Sequence, residues 1–326
     1  MTLVTTDPTS DLAPQVPITP ADRPTGGDRV FRTLCVIAAF VSLLIIVSTI
    51  VFMIKESRPA FRSSGIIDFF TTRVWNGSAG KFGVLGLLIG TIIIASIALV
   101  VAVPLAVAMA LFINEYAPKL VARWLTTAID LLAALPSLIF GMWGRDAFQG
   151  HLTPIAKWLS DHLVAIPFFR LSKSGVQLFH SSFVAGVVVA IMILPIVTSI
   201  SRDVMARAPR EACEAALGLG GTRWGMIKTV VLPFGRSGIA SAALLGFGRA
   251  LGETVAVALL IVLTFDGNWH VLESGAGSIA ALIFTKFNEA QPLELSGLVA
   301  AGLALLLLTF SVSLIARRIV GRKAVA

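Results

Sequence analysis

Long apolar runs alternate with short polar segments along the 326 residues of this chain, and the lengths of the runs decide the architecture. Six of them, 31–54, 84–112, 125–142, 183–200, 237–264 and 296–315, reach the roughly 20 residues a helix needs to cross about 30 Å of hydrocarbon. The pattern therefore predicts an all-α polytopic membrane protein with six transmembrane helices. The second and fifth runs are long enough to tilt or to project beyond a bilayer, and Pro104, Pro136 and Pro195 predict kinks in the second, third and fourth. Residues 1–28 carry five prolines and no apolar periodicity, so they read as a disordered tail ahead of a membrane domain over 29–326 with its core at about 84–316. Run 31–54 is too long for the core of a cleaved leader and no small-residue cleavage site follows it, so it is expected to remain as an anchor. Between the runs, 145–179 reads as an insertion on the outer side, and 278–287 (SIAALIFTKF) as a short outer or re-entrant helix.

The polar island 211–233, EACEAALGLGGTRWGMIKTVVLP, interrupts this pattern. Ala212, Ala215, Ala216 and Leu219 fall at helical spacing, Gly220 and Gly221 stop the helix, and Pro233 is expected to open the next one. A short helix faced with alanine has no bulky side chains, so it can sit deep in a groove of another protein; the same composition also suits an interfacial helix lying on lipid. The order Glu214, Ala215, Ala216, Gly220, Val230, Leu232, Pro233 closely resembles the EAA loop of permease subunits in bacterial ABC importers, with Val230 where isoleucine is usual. The resemblance implies the type I ABC importer permease fold, with loop 201–235 as a cytoplasmic coupling element whose helix docks into a separate ATP-binding subunit. It carries a role in ATPase coupling onto Glu214, Ala215, Ala216, Gly220, Leu232 and Pro233.

Composition agrees with the membrane reading: hydrophobic residues make up 56% of the chain, charged residues 13%, and the mean hydropathy is +0.89. A net charge of +8 would suit nucleic acid if the basic residues formed a patch, but they are distributed between loops, which excludes that partner. With the amino terminus inside, fifteen lysines and arginines fall in inner segments and ten in outer ones, leaving Arg249 within a helix to complete the 26. That bias is modest. The coupling loop sets the orientation, because it must meet a cytoplasmic ATPase, and both termini of this multi-pass cell-membrane protein are then cytoplasmic. Cys35 and Cys213 cannot make a disulfide framework, and the four histidines show no metal-ligand spacing, so no metal is assigned. No G-x-x-x-x-G-K-S/T run is present. The chain is expected to need no cofactor of its own, with ATP and magnesium bound by the partner ATPase.

Arg249 and Glu253 lie four residues apart near the middle of the fifth run, which would place them on one helical face. Charges there cost roughly 2.5–3.5 kcal/mol each, so they are expected to face a polar interior. Two readings follow: an ion pair that fixes packing, or an anion pathway in which Arg249 offers a planar fork of donors and Glu253 holds that fork in place. Ser137 lies on a small-residue face of the third run that suits helix packing or a hydroxyl contact, and Asp130 reads as another buried acid in that helix. Trp75, Trp143 and Trp224 suit headgroup depth.

RALGET (249–254), together with LPSLIFGMWG (135–144), KFGVLGLLIGT (81–91) and AVPLAVAMALFINEYAP (102–118), resembles the phosphate-specific branch of these permeases, the PstC-type subunits. The resemblance covers about residue 31 to the end. It implies an ATP-driven phosphate importer in which this chain is one of two related permease subunits, beside two copies of an ATPase and an external phosphate-binding protein. Arginine chemistry alone would also serve sulfate, molybdate or a phosphonate. A secondary transporter driven by an ion gradient also uses buried Arg and Glu but has no need of the coupling loop. A membrane-embedded enzyme finds no paired carboxylates, nucleophile elbow or metal box in the runs.

Overall fold

The computed structural model of the chain describes residues 26–172 and 177–324. The chain divides into two compact units, 1–52 and 53–326. The expected disordered tail lies outside the described residues as far as residue 25, and Gly26 to Asp28 already belong to the first helix, α1 (Gly26–Ser64). After it come α2 (Ile66–Thr71), a two-residue ribbon of β1 (Trp75–Asn76) and β2 (Lys81–Phe82), and the long α3 (Leu85–Leu111). The chain continues through α4 (Lys119–Ala134), α5 (Ser137–Trp143), α6 (Gln149–His162) and α7 (Ser182–Met205). The remaining elements are α8 (Arg210–Gly218), α9 (Arg223–Met226), α10 (Leu232–Leu251), α11 (Val255–Leu260), α12 (Ile279–Lys286) and α13 (Pro292–Ala324).

Among the described residues, five helical runs are long and apolar enough to cross a membrane: Gly27–Ser64, Leu85–Tyr116, Ser182–Met205, Arg223–Leu251 and Pro292–Arg318. A sixth crossing is made when the bent pair Lys119–Ala134 and Ser137–His162 counts as one span. Pro136 therefore does more than kink the third run. Leu135 and Pro136 both take extended backbone, with ψ of 132° and 141°, as sterics demand of a residue before proline, and the two halves meet at 94°. The second half does not stop at Gly144 either: it passes through a π turn, Gly144–Phe148, into α6, so the segment read as an insertion from 145 begins as the continuation of a helix. The fifth run is interrupted too, because α10 ends at Leu251 and α11 is a separate, short helix. The stretch 278–287 is a short helix, as expected, in α12.

The core of the second unit is built on α3 and α7. Ala95, Ala98, Ala102, Ala106 and Ala110 recur at three- and four-residue spacing on α3, are fully buried, and pack with residues of α7 and α10. Side chains this small let helix backbones approach closely, the device that holds helices together where lipid supplies no hydrophobic drive. Gly186 of α7 shows how close: a Cβ there would sit 2.6 Å from the side chain of Ile97. α7 starts beside Val271, whose carbonyl accepts from the Phe183 N–H at 2.9 Å, and ends at Met205 beside Met226 and Ile227. Segment 261–278 and the polar island thus lie at opposite ends of the bundle.

At the first of these ends the segment after α6 returns against 261–278. The Val271 N–H donates to the Phe168 carbonyl at 3.1 Å and the Ser274 N–H to the Gln177 carbonyl at 2.9 Å, while buried Glu273 accepts from the Ser172 N–H and, at 3.1 Å, from Asn268. Trp75 is not free to act as a headgroup anchor. Its Nε1 donates to Glu294 at 3.0 Å, and its ring packs on Phe82 and Phe265.

Candidate functional site

The polar island folds as a capped helix resting on the end of the bundle. Cys213 and Ala216 of α8 point inward, against a cluster of Ala110, Leu111, Met205, Met226, Ile227 and Val231, and Leu232 packs on the same cluster. The rest of the helix, including Glu214 and Ala215, is exposed, and Leu219 is 91% exposed at its tip. Gly220 closes the helix with φ of 86°, a conformation that Cβ-bearing residues rarely adopt. Its N–H donates to the Leu217 carbonyl at 3.0 Å and the Gly221 N–H to the Ala216 carbonyl at 3.2 Å, the paired bonds of a Schellman closure. The exposed side of α8 sets Ala212 and Ala215 among Glu211, Glu214 and Leu217 ahead of a rigid end, a short protruding helix that a groove of another protein can grip.

Pro233 stands in the first turn of α10, as expected, but α10 continues a helix that is already running. That helix opens at Arg223, where the Thr222 hydroxyl accepts from the Gly225 N–H at 3.1 Å, and it runs on to Leu251. Pro233 sits inside this run directly after a π turn, Ile227–Val231, whose wider hydrogen-bond spacing accommodates a residue without an N–H. Polar bonds tie the base of the island to its neighbours. Arg223 donates to the Glu115 carbonyl at 3.1 Å, Asn114 to the Arg202 carbonyl at 2.9 Å, and Arg202 to the Thr126 hydroxyl at 3.0 Å.

Arg249 lies at the far end of the same run. Gly246 packs on Val197, so Arg249, nearly one turn further along, sits close to the midpoint of α7 and hence about halfway through the bundle. Its side chain is exposed and enters a groove of about 840 Å³ between α7, α10 and α13, lined also by Ser241, Gly248, Thr309, Ser313 and Arg317. The expected partnership with Glu253 is not formed. Gly252 terminates α10, so residues 249 and 253 do not share a helical face, and no ion pair joins them among the described residues. Glu253 is instead buried, with its carboxylate 3.5 Å from the Ala256 N–H at the start of α11, and it belongs to the break between the two helices. Asp130, expected to be buried, is exposed on α4, and the break at Leu135 and Pro136 separates it from Ser137.

Sequence reasoning missed Arg317, counting it only among inner-loop charges. The signal was present as Thr309, Ser313 and Arg317 at four-residue spacing, polar positions on one face of a largely apolar helix. The inward role of Cys213 and Ala216 was invisible, because an alanine-faced helix carries no mark of which side is covered.

The model of the binding-protein-dependent transport system inner membrane component family matches residues 102–325. The chain is 37% identical over 325 residues to the phosphate transport system permease protein PstC 2 of Mycobacterium tuberculosis (strain ATCC 25618 / H37Rv), covering 98% of this chain and 99% of that protein. It is 39% identical over 275 residues to the phosphate transport system permease protein PstC of Mycobacterium leprae (strain TN), covering 83% and 86%. In fold it is similar to a chain of a bacterial alginate ABC transporter crystallised with an alginate pentasaccharide-bound periplasmic protein, with a TM-score of 0.60 at 16% identity over 90% of this chain and 96% of that one. Helices broken at prolines and glycines around a short exposed helix, and a family match across more than half of the length, meet in one conclusion: this chain belongs to the binding-protein-dependent transport system inner membrane components.

Proposed function

We propose that this chain is the PstC-type permease subunit of an ATP-driven importer of inorganic phosphate. The observation that carries the reading is one unbroken helical run, Arg223–Leu251, which starts beside an exposed alanine helix and ends with an arginine at mid-bundle. Identity of 37–39% over 83–98% of this chain to two phosphate transport permeases supports phosphate over sulfate, molybdate or a phosphonate. Glu214, Ala215, Ala216, Gly220, Leu232 and Pro233 form or position the surface that a separate ATPase dimer grips, and that ATPase binds ATP and magnesium, leaving this chain without a cofactor or catalytic residue. An arginine facing hydrocarbon costs roughly 2.5–3.5 kcal/mol, so the exposed face that bears Arg249 is covered in the assembly by a related second permease subunit. An external phosphate-binding protein delivers the anion, lipid surrounds the remaining faces, and no nucleic acid takes part. With six crossings both termini share the side that carries α8, and docking of α8 on the ATPase makes that side the cytoplasm in this reading.

Closure of the ATPase dimer moves α8 as a rigid body, and the run behind it carries the motion to Arg249. The planar fork of Arg249 meets two oxygens of the anion. Glu253 serves the pathway by fixing the break that leaves Arg249 at the end of α10. The test is phosphate uptake into vesicles holding the assembled complex. ATP-dependent uptake that survives an ionophore, prefers phosphate to sulfate and is lost in Arg249→Ala with assembly intact is the expected result. Uptake that ignores ATP and collapses with the ion gradient would replace this reading with a secondary transporter.

A further inference from the structure

The groove that receives Arg249 holds a second cation that the proposed pathway does not use. Thr309, Ser313 and Arg317 stand four residues apart on α13 and all line that groove, making a polar stripe about 12 Å long. The direction of the stripe is set by the ends of α13. Gly297 packs on Phe82 just before α3 begins, whereas α3 ends at Leu111 within the cluster that carries α8, so Arg317 lies nearer the coupling end than Thr309 does. Across the groove Ser241 lies about 12 Å from Arg249 along α10, also toward the coupling end. The polar lining therefore runs from one arginine at mid-bundle, past hydroxyls, to another arginine.

The chemistry of the lining is one-sided. No carboxylate is among the described residues that line the groove, so two guanidinium groups between apolar walls concentrate a positive field. The Ser241 and Thr309 hydroxyls donate to carbonyls of their own helices, Ser237 and Leu305, each at 2.9 Å, and rotation about the side-chain bond frees both donors for a passing acceptor. One strong site would hold an anion and release it slowly, whereas two sites in series let it leave the first by engaging the second.

We propose that Arg317, with Ser313 beside it, is a second oxyanion station between Arg249 and the cytoplasmic mouth, taking phosphate as Arg249 releases it. This rests on the reading of the groove as the pathway. The alternative is an arginine near a helix end that reaches for lipid headgroups.

Ser313→Cys in the assembled complex separates the two. In inside-out vesicles its labelling by an anionic and by a cationic methanethiosulfonate reagent is followed by mass spectrometry of the labelled peptide. The anionic reagent is expected to react about tenfold faster, the preference to fall severalfold in Arg317→Gln, and phosphate to slow the labelling. Equal rates for the two reagents, or no labelling by either, would overturn the second station. If Ser313→Cys does not assemble, Thr309→Cys reports the same field. A charge-blind groove together with loss of uptake in Arg249→Ala sinks only the second station, whereas normal uptake in Arg249→Ala sinks the pathway itself.

Discussion

Gly220 concentrates the local physics of the coupling end in one backbone angle. With φ of 86°, any residue bearing a Cβ costs about 1–2 kcal/mol there, and the two closing bonds to Leu217 and Ala216 bear that strain. Gly220→Ala is therefore expected to raise hydrogen exchange at the Gly220 and Gly221 amides about tenfold, without changing exchange in α3 or α7. Cys213 offers a second test of the same helix. Burial raises its thiol pKa, and the neighbouring carboxylates of Glu115 and Glu214 raise it further, so little thiolate is present at neutral pH. Its alkylation should be slow at pH 7, climb only well into the alkaline range, and begin at lower pH in Glu214→Gln. At this scale the sequence was informative where chemistry is local: the glycine stop, the alanine spacing and the lone arginine were all readable. The pairing of Arg249 with Glu253 was not, because a spacing of four implies a shared face only while the helix continues, and Gly252 ends it.

Among the elements, the breaks matter more than the helices. Pro136 and Gly252 each interrupt an apolar run that composition alone makes continuous, since hydropathy records length and apolarity but says nothing of where a backbone turns. Pro233 stands in the first turn of α10, but the π turn before it lets the helical run continue, and no sequence signal distinguishes a proline that starts a helix afresh from one that a helix tolerates. The segment 261–278 shows how irregular backbone is held at the opposite end. Burial alone would raise the Glu273 carboxyl pKa, but hydrogen bonds from Ser172 and Asn268 and the nearby His270 bring it below the ordinary carboxylate range. A depressed value means that the clamp contributes in full above the unfolded pKa and is lost as pH falls through the lower folded one. Tryptic cleavage after Arg170 following an acid pulse should therefore stay slow until the pulse is well below about pH 4. In Glu273→Gln it should be fast already at neutral pH.

The whole molecule turns on whether the bent pair completes a crossing. Five long apolar runs would leave the termini on opposite sides of a membrane, and a sixth, broken span would return them to the same side. Tags at both ends should accordingly be digested together in inside-out vesicles and together protected in right-side-out ones. Digestion of one tag alone in each preparation would mean that α4 and α5 do not make a span. Six apolar runs of spanning length were legible in the sequence, whereas the angle inside the third was not, because it depends on two extended residues at a single proline. The continuous run from Arg223 to Leu251 has a mechanical consequence of its own. Between Arg223 and Arg249 it measures about 39 Å, so pivoting it by about 5° at the coupling end sweeps the arginine through about 3 Å. That is the span of one hydrogen bond. A stiff lever of this length converts a small rotation outside the bilayer into the making or breaking of a single grip on an ion within it.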